Sequence, residues 1–157
     1  MDDAAGLAIA YEETKKSYEE GGIPSKITTT SFRNIETATL QNAGRLPAPT
    51  YSSSTIYTTL SPCDMCTGAI LLYKIPRVVI GENRTFKPEN GGGEDYLRER
   101  GVEVVVVDDE GCRGLMERFV REKPGVWWED ICEVGEVGKR EEREEGEEEE
   151  REEEEEA

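Results

Sequence analysis

The chain has 157 residues, 36 acidic side chains against 19 basic ones, no histidine, and a net charge of −17 at pH 7. That length suits one domain, and the charge excludes a surface built to neutralise a phosphate backbone, which needs clustered Lys and Arg. No apolar run approaches the about 18 residues of a membrane span, and the acidic start Met1-Asp2-Asp3 resembles no secretory or mitochondrial leader, so a cytoplasmic or nuclear protein acting on a small neutral molecule is expected.

In chain order, Asp2 or Asp3 is placed to cap a first helix, with Leu7, Ala10, Tyr11, Thr14 and Tyr18 near one face. Gly21-Gly22-Ile23-Pro24 ends it. Residues 25–33 are polar and Thr-rich without clean periodicity, residues 35–43 fit a second helix that Gly44 stops, and Pro47, Pro49 and Ser52–Ser54 read as a loop. Ser54–Leu60 reads as a strand rich in β-branched and aromatic residues. Pro62–Lys74 reads as a helix with proline in its first turn. Arg77–Ile80 is a short apolar strand, Glu94–Arg100 a short helix, and Val102–Val107 an almost continuously apolar strand of the kind buried in parallel sheets. Glu110–Lys123 is a helix with Leu115, Phe119 and Val120 inward. The alternation of strands and helices implies an α/β fold, a parallel sheet with helices on its faces. From 134 to 157 the chain holds 14 Glu against 4 Lys or Arg, a net of −10, which leaves −7 for residues 1–133. A folded domain over 1–133 and a disordered acidic tail over 134–157 follow; a transient helix of Glu–Arg pairs or docking to a basic partner are the alternatives for the tail.

The strongest chemical signal is Ser61-Pro62-Cys63-Asp64-Met65-Cys66, where a strand hands over to a helix. Cysteines three apart share a helix face, and the N-terminal N–H groups of that helix favour thiolate. Two thiolates on one face suit zinc, and P-C-x-x-C is half of the zinc deaminase signature, whose other half is H-x-E. Taken alone, the motif also fits a thioredoxin-like redox pair or two unreactive core cysteines. A structural four-cysteine zinc site would need a second C-x-x-C, which is absent.

Longer stretches narrow the choice. Thr55–Asn83 (TIYTTLSPCDMCTGAILLYKIPRVVIGEN), Leu7–Glu13, Glu20–Pro24, Tyr96–Glu110 and Trp127–Ile131 (WWEDI) resemble fungal cytosine deaminases. The resemblance spans most of residues 6–133. It implies a cytidine-deaminase-like sheet of five strands between helices, a homodimer, and zinc-dependent conversion of cytosine to uracil and ammonia in pyrimidine salvage. It implies that Cys63 and Cys66 are zinc ligands and that Glu36 is the proton shuttle. Ser61 would meet the substrate through its backbone, Phe86 and Trp127 would close over the base, and Asp130 would hold the ring or its amino group. A nucleobase is the implied partner, with neither nucleic acid nor membrane. Cys112 and Cys132 read as structural or incidental.

The chain departs from that pattern in one stretch. The family's third ligand is a histidine two residues before the glutamate, and here that position is Asn34, a weak neutral donor for zinc. Just upstream the family has two hairpin strands and an asparagine that recognises the base; here only Ser25–Arg33 stands in their place. Two of the five strands are therefore expected to be missing, with a helix face uncovered and a sheet edge unpaired. An inactive homologue acting by dimerisation or through its acidic tail is the alternative function.

Overall fold

The computed structural model describes residues 2–24, 27–29, 46–86 and 92–131. Its elements are α1 (Asp3–Glu19), β1 (Ile27–Thr29), α2 (Ala48–Ser52), β2 (Thr55–Leu60), α3 (Asp64–Leu72), β3 (Arg77–Glu82), α4 (Gly92–Glu99), β4 (Glu103–Val106), α5 (Glu110–Glu122) and α6 (Pro124–Asp130). The chain divides into two compact units, residues 1–118 and 119–157, with the boundary inside α5.

Asp2 is the N-cap of α1, its Oδ1 accepting from the Ala5 N–H at 2.8 Å. The buried side of α1 is Gly6, Leu7, Ala10, Thr14 and Tyr18, the face that helical spacing marks out. Strands β2, β3 and β4 are parallel, with Val79 between Tyr57 and Val105. Because side chains alternate along a strand, the two sheet faces build separate clusters. Ile56, Val78 and Ile80 pack with Tyr51, Ile70, Ile75, Leu97 and Val102 from the α2–α4 side. Tyr57 and Val79 pack with Leu7, Ala10 and Cys112 from α1 and the start of α5. Each fully buried aliphatic side chain contributes about 1.5–3 kcal/mol relative to exposure.

Four strands are described, not the three left by losing two of five. The Thr-rich stretch supplies β1, which pairs antiparallel with β2, Ile27 opposite Thr58 and Thr29 opposite Ile56. Ile and Thr fit a pleated edge, and the open side of β2 offered backbone groups that need partners. Neither that edge nor the apolar face of α1 is bare. The expected loop at 47–54 is helical over Ala48–Ser52. Pro47 caps it, and three serine hydroxyls fold back onto its carbonyls, Ser54 Oγ to Thr50 O at 2.6 Å being the shortest. Strand β3 runs two residues further than its apolar stretch suggests, ending on the buried Glu82.

In the second unit, α6 carries Trp127 on its buried side and has proline in its first turn. The helix expected at 35–43 and the acidic tail at 134–157 lie outside the described residues. Among the described residues no helix is long and apolar enough to cross a membrane.

Candidate metal centre

Parallel strands deliver their carboxyl ends to one side. Leu60 pairs with Glu82, and Ile80 with Val106, so the segments 61–63, 83–86 and 107–109 leave the sheet together. In open α/β sheets this is where ligands bind.

Cys63 is the first functional residue after β2. It holds an extended conformation, φ −69° and ψ 172°, as the N-cap of α3. The helix therefore begins at Asp64, and Pro62 stands just before the cap instead of inside the first turn. The Cys63 carbonyl accepts from the Thr67 N–H at 2.8 Å, closing the first turn. Cys63 and Cys66 are both half-buried. The Cys63 thiol is brought down to about 6. The main cause is a hydrogen bond from the Cys66 side chain; burial opposes it, and the backbone N–H groups of Cys66 and Met65 reinforce it. The two sulfurs thus face one another at a helix start that favours the anionic form.

Among the described residues no third His, Cys, Asp or Glu joins them. Cys112 belongs to the α1-side cluster, and burial, with Asp109 next, pushes its thiol up, away from the ligating form. Asn34, Glu36 and Cys132 lie outside the described residues. The donor chemistry of the two soft sulfurs of Cys63 and Cys66 fits zinc.

Ser61 is buried, and its hydroxyl donates to Glu94 Oε1 at 2.8 Å. Phe86 is half-buried at the end of the segment leaving β3. Glu82 pins that segment: its Oε2 accepts from the Arg84 N–H at 2.7 Å and the Thr85 N–H at 3.0 Å. Glu82 is fully buried, and its Oε1 has no hydrogen-bond partner among the described residues. Trp127, buried, and Asp130, exposed, both sit on α6 in the second unit. The first unit thus brings Ser61, Cys63, Cys66 and Phe86 to one end of its sheet.

Sequence reasoning missed Glu82, Asn83 and Glu94. A signal for Glu82 existed, since a carboxyl at even spacing from Val78 and Ile80 must share their buried face. The open hollow of about 710 Å³ lined by Leu46, Pro49, Tyr51, Leu72 and Tyr73 lies at the other end of α3 and contains no metal donor.

Residues 3–82 match the family described as the cytidine and deoxycytidylate deaminase zinc-binding region. The chain is 48% identical over 152 residues to the cytosine deaminase of Candida albicans, covering 85% of this chain and 99% of that one. Since 85% of 157 residues is about 133, about 19 of the 152 aligned positions have no residue here, in keeping with the shortened stretch before Asn34. It is also 27% identical over 147 residues to the tRNA-specific adenosine deaminase of Bacillus subtilis, covering 76% of this chain and 89% of that one. Among solved structures, the guanine deaminase of Nitrosomonas europaea shares the fold at a TM-score of 0.52 and 17% identity, over 73% of this chain and 82% of that one.

Proposed function

The chain belongs to the cytidine and deoxycytidylate deaminase family, and from that premise we propose that it hydrolyses cytosine to uracil and ammonia with zinc as cofactor. The observation that carries this reading is the 48% identity to a cytosine deaminase over 99% of that enzyme's length. The net charge of −7 on residues 1–133 favours a free base over a tRNA.

In this reading Cys63 and Cys66 would hold the zinc through their sulfurs, with Asn34 the sequence's candidate for a third donor. Bound zinc supplies Lewis acidity, lowering the pKa of a water. Glu36 would take one proton from the attacking water and pass it to ring N3, then move the remaining proton of that water, now on the C4 hydroxyl, to the departing amino group. A C–O bond forms at C4, the C4–N bond breaks, and ammonia leaves. The Ser61 backbone would border the base and Phe86 would cover it. A neutral amide in place of imidazole lowers zinc affinity, so full activity requires added zinc. Two copies are proposed to associate, a reading supported by Met65 and Leu72, which are 67% and 74% exposed on α3.

The test is elemental analysis for zinc together with an ammonia-release assay on cytosine. Zinc-loaded protein is expected to release ammonia from cytosine. A folded, zinc-loaded chain inert towards cytosine refutes the reading.

A further inference from the structure

The first turn of α4 sits directly on the segment that carries Cys63. A Cβ at Gly93 would run into Thr67 Oγ1 and lie 2.8 Å from the Pro62 carbonyl oxygen. Only glycine permits that approach. The next residue, Glu94, is 13% exposed at its side chain and ties three segments together. Its Oε1 accepts from Ser61 Oγ at 2.8 Å. Its Oε2 accepts from Asn83 Nδ2 at 3.3 Å and faces Arg98 Nη2 at 3.6 Å, one turn along the same helix. The segments after β2 and after β3 thus share one carboxyl group, and Ser61 is two residues from Cys63.

We propose that Glu94 is a positioning residue for the thiolate pair, acting through Ser61 to fix the backbone from Ser61 to Cys63 against α4. This rests on the deaminase reading. Without Glu94 the Ser61 hydroxyl is left buried and unpaired, and the segment is free to turn it towards other acceptors, carrying Cys63 with it. Groups that orient metal ligands typically alter metal affinity 10- to 100-fold. Glu94 touches neither sulfur, so its effect reaches the metal only through geometry.

The experiment titrates the full chain with Co²⁺, reading the thiolate-to-cobalt absorption band, and records thermal melts of the same samples. V78A, a core variant distant in kind from the cysteines, serves as the stability control. E94A is expected to weaken Co²⁺ binding by about tenfold or more, beyond any loss in V78A. E94Q, which keeps an oxygen for Ser61, should restore most of it, and S61A/E94A should lose no more than E94A alone. Binding in E94A equal to wild type, or reduced only as much as in V78A, overturns the proposal. If the wild-type chain takes no Co²⁺, the deaminase reading fails and Glu94 is judged by alkylation of Cys63 with iodoacetamide, followed by mass spectrometry. Alkylation several-fold faster in E94A than in wild type and V78A supports the positioning role; equal rates overturn it.

Discussion

At the amino ends of the parallel strands charge is closely paired, while at the carboxyl ends two buried polar atoms have no partner among the described residues. Arg77, the first residue of β3, forms two hydrogen bonds to Asp3, Nη1 to Oδ1 at 2.6 Å and Nη2 to Oδ2 at 2.8 Å. Its Nε lies 3.2 Å from Glu103, the first residue of β4, and the Tyr57 hydroxyl also donates to Asp3. At the other end, Thr67 Oγ1 and Glu82 Oε1 are buried with no hydrogen-bond partner among the described residues. Asp108, between β4 and α5, holds φ at +58°, a left-handed conformation unfavourable for a residue other than glycine. Its contacts to Arg84 and Arg113 lie on the exposed rim. The first end is arranged as packing and charge alone would select. The second keeps groups that cost stability, the mark of an end arranged for a ligand.

The sharpest test of that contrast is at the thiolate pair. C63S is expected to abolish zinc binding and cytosine turnover while shifting the melt little, because Cys63 makes no side-chain cap to α3. N34H goes the other way. An imidazole in place of a neutral amide should raise zinc affinity by at least the about 10- to 100-fold attributed to outer-shell partners, with turnover at limiting zinc rising in step. Zinc retained at wild-type level in C63S would break the assignment of this end as the metal centre.

Much of this end was legible from the sequence because P-C-x-x-C at a strand-to-helix junction is a local pattern. Residues 61–66 need no tertiary partner to declare the sulfurs or the strand-to-helix turn, although the helix starts two residues later than the proline suggests. What was illegible depends on long-range pairing. Ile27–Thr29 became a strand because the edge of β2 was open, which no window around residue 27 reveals. Glu94 reads as an ordinary first-turn acid, and its role arises from Ser61, 33 positions away. Likewise α2 was hidden by two prolines and a serine run, which signal a loop until the serine hydroxyls close back on the carbonyls. The apolar faces of α1 and β3 follow from period alone; period also carries Glu82 onto the buried face of β3, but a buried carboxyl runs against the burial rule that marks strands, so the strand reads as ending at Ile80.

The next effect in size is expected at Glu82. E82A leaves the Arg84 and Thr85 N–H groups without their acceptor; both bonds are part-buried, so water partly replaces the lost oxygen and the cost is about 1–2 kcal/mol for the pair. E82Q keeps one oxygen for both donors, so its stability should lie within about 1 kcal/mol of wild type. Urea denaturation measures both. Because the pinned segment leads to Phe86, E82A should also raise KM for cytosine more than it lowers kcat. Equal stability loss in both variants would show that the oxygen on Arg84 and Thr85 is not what Glu82 contributes.

The smallest effect belongs to the paired end and should touch stability alone. The Asp3 carboxyl is held below the usual carboxylate range, chiefly by its hydrogen bonds from Arg77, with burial opposing and the Arg77 charge adding. A carboxyl whose pKa is lower folded than unfolded stabilises the fold fully above its unfolded value, about 4, and loses that contribution as pH falls through the folded value. Side-chain exposures of 26% for Arg77 and 37% for Asp3 limit the pair to about 1 kcal/mol, or about 4 °C in Tm for a chain of this size. D3N should therefore melt below wild type at pH 7, and the gap should narrow from about pH 4 downwards until the two curves meet. Zinc affinity and cytosine turnover should be unchanged at pH 7. A gap that stays constant down to pH 2 would mean that Asp3 acts through packing and not through charge. A change in zinc affinity would mean that the two ends of the sheet are coupled.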